Sequence, residues 1–412
     1  MNIWIFNHYA ITPDLPGGTR HYDLGKELVK EGHSVIIFAS AFHHLQSKYV
    51  KIEKEQLYKI ENFNEVKFVW IKTFPYKKND WKRVLSMLDF AFKAFIIGRK
   101  LGKKFPAPDI IIGSSVHLLS PLSAYFLSLH FKVPFIIEVR DLWPDTLVDM
   151  GILDRKSFAF ILLKKLEIFL YKKAKRMIYI PSYASDYFSN LGISPSKIKH
   201  IPNGVDLNRF PKFLENLNVE KKVFKLTYTG HFGPSAGLKD AIKAISLVVK
   251  RGYNLLLNLI GDGSERAVLE ELIKEENLSS WINIIGPVPK EEVCKYLITS
   301  DALLHIELDF NTSKWGGSPN KIYDYLASGK PIIYCSNWVK EWLDKINCGL
   351  YSPPGDIEKL ADVIIKIINM ESEEKDTMGK RGREYVEKHH DISLLSKEFL
   401  SLINSVIEEE KV

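Results

Sequence analysis

Short continuous apolar runs alternate with longer amphipathic stretches along the first half of the chain. Residues 3–6, 34–40, 66–71, 110–113, 135–139 and 178–180 are rich in Ile, Val and Phe, as parallel strands buried on both faces are. A Pro/Gly loop at 12–19 precedes a helix predicted over 20–31, which Gly32-His33 closes. A further strand, 198–202, follows another helix. Asn203-Gly-Val-Asp206 is a turn signal and is expected to be a hinge. The alternation then restarts, with strands expected at 226–229, 254–260, 282–285, 302–306 and 332–334. Helices are expected from Leu238, up to about Asn277, and over 360–369, 373–387 and 394–409. Alternation of this kind implies doubly wound sheets, so two α/β domains facing each other are predicted. Their bounds are 1–202 and 203–389, with the last helix, about 390–412, standing apart.

The densest signal lies at 315–336, where a glycine-rich loop, a short helix and a strand follow one another. Ser318 stands where an N-cap belongs, and Pro319 takes the first helical position. Ile322, Tyr325 and Leu326 share one face. Gly329 is placed to end the helix, and Pro331 stops its continuation. The free N–H groups at such a helix start, with Gly316 and Gly317 open to close approach, suit an anion. Lys321 in the first turn opposes the helix dipole, which points to a ligand such as a diphosphate. The bland alternative is a well-capped turn with a solvated lysine.

Composition narrows the class. At 412 residues the chain is too long for one ordinary core, which agrees with two domains. Cys294, Cys335 and Cys348 have neither metal spacing nor the makings of a disulfide framework, which fits a reducing cytosol. A strand begins at once after Met1, leaving no room for a signal peptide, and no apolar run approaches the roughly 18 residues of a membrane span. A cytoplasmic protein is therefore expected. The net charge of +7 is modest and no nucleic-acid recognition motif is present, so no nucleic-acid partner is expected.

In open α/β sheets ligands bind beyond the carboxyl ends of the strands. Gly17-Gly18, Ser114-Ser-Val-His117 and Glu138-Val-Arg-Asp-Leu-Trp-Pro-Asp145 occupy that position in the first half. Residues 230–237, Gly261-Asp262-Gly263 and 316–321 occupy it in the second, so six loops converge on one cleft. The plain readings are a helix cap for His117 and a structural ion-pair network for Glu138, Arg140 and Asp141. No Cys/His/Asp grouping supports a metal, no Ser-His-Asp order is present, and the Walker and dinucleotide patterns are absent.

Together these residues resemble glycosyltransferase family 4, of the GT-B fold, over essentially the whole chain. Glu138 to Asp145 with Gly151, Ile201-Pro-Asn-Gly-Val-Asp-Leu-Asn-Arg-Phe210, and Ser318-Pro-Asn-Lys-Ile-Tyr-Asp324 with Gly329-Lys-Pro331 are similar to its O-antigen and capsule subgroup. The resemblance implies a retaining, metal-independent enzyme without a cofactor. It would take a nucleoside-diphosphate sugar, UDP-linked in expectation, and serve a saccharide or polyprenyl-linked acceptor. It also implies that the donor lies on the second domain, the acceptor on the first, and that the last helix crosses back to the first.

On this reading Lys321 stabilises the leaving diphosphate, and His117 and Asp141 meet the transferred sugar or acceptor hydroxyl. Donor contacts fall to Gly17, Gly18, Arg209, Gly230, His231, Gly261, Asp262, Gly263, Val288, Gly317, Ser318, Pro319 and Asn320, with Asp324 on the ribose. Glu138 and Arg140 fall on the acceptor side. The family's two glutamates separated by seven residues fall here on Gly316 and Asp324, and its Arg and Lys of the diphosphate loop on His231 and Ala236. Two rivals stay open, a GT-B sugar-nucleotide epimerase and a non-catalytic sugar-nucleotide-binding protein.

Charge distribution adds a partner. Residues 72–104 hold ten Lys/Arg (Lys72, Lys77, Lys78, Lys82, Arg83, Lys93, Arg99, Lys100, Lys103, Lys104) against Asp80 and Asp89. Trp81, Leu85, Leu88, Phe92, Phe95 and Ile96 interleave at helical spacing, and 155–176 repeats the mixture. An anionic membrane surface is the expected partner, with a solvated face over domain core as the alternative.

Overall fold

The computed structural model describes residues 1–77, 80–211, 223–309 and 311–411. Lys78, part of the basic segment, lies outside the described residues. The first sheet has eight strands, in the spatial order Ile198–His200, Arg176–Tyr179, Phe135–Val139, Ile110–Ser115, Asn2–Phe6, Ser34–Ser40, Val66–Ile71 and Tyr58–Phe63. All pair in parallel except the last, which runs antiparallel at the edge. The second sheet is parallel, in the order Ile282–Gly286, Leu255–Ile260, Phe224–Thr229, Ala302–Ile306, Ile332–Cys335 and Gly349–Tyr351. Strand order reverses beside Asn2–Phe6 in one sheet and beside Phe224–Thr229 in the other. Those two switch points fix where a ligand can enter.

The apolar runs become central strands because helices cover both sheet faces, and Ile110, Ile111 and Ile112 are wholly buried. The edge strand Tyr58–Phe63 escaped the pattern, since Lys59 and Glu61 interrupt its apolar run and its exposed positions are Ile60 and Asn62. The two-residue hairpin strands Phe42–His43 and Lys48–Tyr49 are too short to show a period.

The chain passes between the two sheets twice, at 203–206 and 390–392, and the passages pair. Val205 N–H donates to His390 O at 3.0 Å, and Ile392 N–H donates back to Val205 O at 3.0 Å. Gly204 is required there, because a Cβ would lie 2.4 Å from the His390 carbonyl. The last helix, Ile392–Glu409, then packs on helix Arg20–Lys30. Its Leu395, Phe399, Ile403 and Val406 share one core with Ile3, Leu24 and Leu28.

Candidate active site

A cleft of about 420 Å³ opens between the carboxyl ends of the two sheets. Val116, Arg140 and Asp141 line it from the first sheet, and Ser235, Glu307, Trp338 and the run from Gly316 to Asn320 line it from the second. That volume is in the ordinary range for small-ligand pockets.

The glycine-rich loop is anchored across the cleft rather than by its own helix. Tyr183 N–H donates to Trp315 O at 2.9 Å, and Ser182 Oγ donates to Gly317 O at 3.3 Å. Asn203 N–H donates to Ser318 Oγ at 2.9 Å, and its side-chain amide also donates to Ser318 O. Ser318 therefore is not the N-cap the sequence suggests. Its hydroxyl serves Asn203 and the Tyr323 phenol, 2.7 Å away, and the helix Asn320–Ala327 starts with Pro319 at the cap. Gly329 does end it, with φ of +68°.

Lys321 in that first turn places its ammonium 3.0 Å from the Tyr228 hydroxyl and 4.2 Å from the centre of the ring. Gly230 clears the space, since a Cβ there would lie 3.0 Å from Lys321 Nζ. Burial lowers the lysine pKa, while Tyr325 and Glu307 oppose that shift. The adjoining loops interlock through missing side chains. A Cβ on Gly261 would strike Gly230 O at 1.8 Å, and one on Gly263 would strike Phe232 O at 2.3 Å. His231 Nδ1 lies 3.0 Å from Asp262 O, so the imidazole is turned to the backbone of the next loop. Gly17 has φ of +135°, and a Cβ on Gly18 would meet the Asn320 amide at 2.4 Å. The first domain's glycine loop thus touches the helix Asn320–Ala327 directly. Val288 lies beyond strand Ile282–Gly286, half-buried, beside Lys290, whose N–H donates to Leu15 O at 3.2 Å.

Several expected site residues do not face the cleft. Glu138 is wholly buried: its Oε2 accepts from Arg20 Nε at 2.9 Å, and its Oε1 from Ser114 Oγ at 2.9 Å. His21 Nε2 stands 2.8 Å from the same Oε1. Burial alone would raise its pKa, but Arg20 and His21 hold it well below the ordinary value. An acceptor cannot reach it, so Glu138 is a structural anion. Arg20 in turn donates to Ile201 O and Pro202 O, which fixes the approach to Asn203.

His117 is also buried. Ser120 N–H donates to its Nδ1 at 3.3 Å, so the proton sits on Nε2 and is donated to His8 Nδ1 at 2.8 Å. Burial and Arg83 push its pKa down to about 3. Both ring nitrogens are engaged by protein groups, one of them by the N–H of Ser120 in the first turn of helix Leu119–Phe131, which is the arrangement the plain reading of His117 expects.

Arg209 is taken off the diphosphate: it grips Asp23 through both terminal nitrogens, one at 3.1 Å from Oδ2, and donates to Thr19 Oγ1 at 3.2 Å. A buried aspartate needs such a partner. Asp324 is buried and paired with Lys290 through Oδ2, away from the lining of the cleft. Asp141 and Arg140 do line it, and desolvation raises the Asp141 pKa against the pull of Arg140 and Arg83. Arg83 belongs to this side of the molecule, its Nε lying 3.3 Å from the Tyr9 hydroxyl, and not to the outer basic face.

Glu307 was missed. It follows the buried strand Ala302–Ile306 as a lone carboxylate, which is the one local signal it carried. Among the described residues no group of three or more His, Cys, Asp or Glu could hold a metal ion.

Comparison with known proteins agrees with this geometry. Residues 17–209 match the family described as Glycosyltransferase Family 4, and residues 210–385 match Glycosyl transferases group 1. The Pseudomonas aeruginosa protein named "Probable glycosyltransferase WbjE" is 23% identical over 354 residues, covering 82% of this chain and 85% of its own. Among solved structures, the sucrose-phosphate synthase of Thermosynechococcus elongatus superposes with a TM-score of 0.77 at 18% identity, over 99% of both chains. Anabaena HepE, solved with UDP and glucose, superposes with a TM-score of 0.70 at 14% identity, over 98% of this chain and all of its own (100%). With both halves matched and the two sheets facing across one cleft, this chain is a glycosyltransferase of family 4, built on the GT-B fold.

Proposed function

We propose that the chain transfers a sugar from a UDP-linked donor, with retention and without a metal, to a saccharide or polyprenyl-linked acceptor in surface polysaccharide synthesis. The donor lies on residues 203–389 and the acceptor on 1–202. One observation carries this reading: the Lys321 ammonium at the start of helix Asn320–Ala327, facing the Gly230 loop. A helix start, a lysine and glycine backbone together stabilise charge that grows on a leaving diphosphate. The UDP and glucose of the HepE structure support the choice of donor. Asp141, in the cleft wall, meets the incoming hydroxyl or the sugar.

The test is calorimetric titration with UDP, GDP and ADP, followed by turnover on polyprenyl-diphosphate saccharides with excess chelator present. Tight UDP binding and chelator-resistant transfer that keeps the anomeric configuration are expected. UDP binding without transfer to any acceptor would favour the non-catalytic protein, and donor conversion with no acceptor present would favour the epimerase.

A membrane-bound acceptor is supported by the outer face of the first domain. Helices Trp81–Leu101, Leu119–Phe131 and Phe158–Lys173 lie side by side, with Gly98 against Leu127 and Gly102 against Phe131. Their outward residues are apolar: Trp81, Val84, Leu88, Phe92 and Ile96 on the first, Phe126 and Leu129 on the second, Phe158, Ile161 and Leu162 on the third. The stripe on the first helix recurs every three or four residues, so it is one continuous exposed face rather than domain core. Exposed Lys82, Arg99, Lys100, Lys165, Lys172 and Lys173 rim it. Among the described residues no helix is long and apolar enough to cross a membrane; an apolar face rimmed by lysine and arginine is of the kind that lies in the plane of a bilayer surface.

A further inference from the structure

Glu307 is the first residue beyond strand Ala302–Ile306, which neighbours Phe224–Thr229 at the switch point of the second sheet. Its side chain is 26% exposed and lines the cleft. Among the described residues, the hydrogen-bond and ion-pair partners of the side chain meet one carboxylate oxygen. Ser336 Oγ donates to Oε1 at 2.7 Å, Trp338 Nε1 donates to the same atom, and His305 Nε2 stands 3.5 Å from it. Oε2 receives none of these. Burial alone would raise the pKa, but His305, Ser336 and Lys321 outweigh it and bring it down to about 2. The group is therefore a fixed anion at neutral pH, able to accept hydrogen bonds and unable to donate them.

Its neighbours define what it can accept from. Lys321 lies within electrostatic reach on the side of the Gly230 loop, so a diphosphate held there leaves the group it carries in the part of the cleft that Glu307 lines. The Trp338 indole packs 3.3 Å from where a Gly317 Cβ would be, giving that part a flat apolar wall. Asp141 and Asp149 line the same cleft with Glu307, three carboxylates against the one guanidinium of Arg140 in that lining, so a further negative charge is disfavoured there. A site built to pair with hydroxyl groups rejects a ligand that lacks them or carries like charge.

We propose that Glu307 binds the hydroxyl groups of the transferred sugar through Oε2 and restricts the donor to neutral, hydroxyl-bearing sugars, excluding uronic acids. This rests on the nucleotide-sugar reading of the cleft, and adds to it the class of sugar and the residue that selects it.

The test is calorimetric titration of the full chain and of Glu307→Gln with UDP, UDP-glucose, UDP-galactose, UDP-N-acetylglucosamine and UDP-glucuronic acid. Glutamine keeps an acceptor oxygen for Ser336 and Trp338 and replaces Oε2 with a donor. UDP should bind both proteins within about twofold, while the tightest neutral UDP-sugar loses about tenfold or more relative to UDP, the scale of a lost hydrogen bond to a charged group. UDP-glucuronic acid should bind the native protein most weakly of the sugars and gain in the variant. A sugar-to-UDP ratio unchanged in Glu307→Gln, an equal loss for UDP itself, or native binding of UDP-glucuronic acid equal to the neutral sugars would each overturn the proposal. Should Glu307→Gln melt earlier than the native protein, Glu307→Asp, which keeps the charge and withdraws it, must show the same loss in the ratio. Failure of UDP to bind the native protein would remove the donor-site reading first, and the role of Glu307 with it.

Discussion

Asp23 and Arg209, 186 residues apart, close on each other at the foot of the cleft, where the chain passes from the first sheet towards the second. Both side chains are nearly buried, at 5% and 12% exposure. The guanidinium spends both terminal nitrogens on the carboxylate, and a second pair, Lys26 with Asp206 at 2.8 Å, lies beside it. The resemblance to the family placed Arg209 on the diphosphate, and the pair decides otherwise.

Arg209→Ala strands a buried carboxylate, so it should destabilise the fold by about 3–5 kcal/mol. UDP affinity should change by less than about threefold if the arginine, committed to Asp23, takes no part in holding the donor. Chemical denaturation and calorimetry on one preparation separate the two effects. A large loss of UDP binding with unchanged stability would return Arg209 to the diphosphate.

Lys321→Ala removes the charge that the proposed function aims at the leaving group. Turnover should fall by about a hundredfold or more, the scale of one preorganised stabilising donor, with a native circular dichroism spectrum. Tyr228→Phe keeps the ring under the ammonium and removes the hydroxyl 3.0 Å from it, so its effect should be much smaller. Activity of Lys321→Ala within about threefold of native would sink the assignment.

Acid should weaken the fold before its carboxylates are protonated. Burial lowers His43 and His390 to about 4 and His117 to about 3, all below the free value of 6.5. Below pH 6.5 the unfolded chain takes up these protons and the folded chain does not, so stability is full above that pH and falls as pH drops towards 4. Each such histidine contributes a slope of about 1.4 kcal/mol per pH unit. Glu307 adds to the loss further down, between its free value of 4.5 and about 2, while Asp23 and Glu167, raised by burial, oppose it. Urea midpoints at about pH 7 and about pH 5 should differ clearly, and a flat profile would contradict the burial of these rings.

Vesicles containing anionic lipid should bind the chain, neutral vesicles weakly, and binding should decline as salt rises. Lys82→Glu with Lys165→Glu should weaken it through charge, and Phe92→Ser through the apolar stripe, all three being exposed and free of the cleft. Equal sedimentation with neutral and anionic vesicles at low salt would count against a membrane face.

The sequence by itself determined the elements and where ligands had to lie. Runs such as Ile110–Ser115 and Phe135–Val139 are buried on both faces, and burial on both faces leaves a local signature that no other element shares. The glycines after strands Phe224–Thr229 and Leu255–Ile260 were legible for a similar reason. Gly230, Gly261 and Gly263 stand where a neighbouring backbone or Lys321 excludes a Cβ, so their identity records their surroundings. Side-chain partners were decided only by the tertiary structure. Nothing local tells that Glu138 meets Arg20 and His21, or that His117 meets His8, because each partner lies more than a hundred residues away. A charged residue beyond a strand reads the same whether it turns into the cleft, as Asp141 does, or under it, as Glu138 does. The turn is set by which side offers a counter-charge at hydrogen-bonding distance, and that is a property of two packed sheets rather than of either stretch of chain.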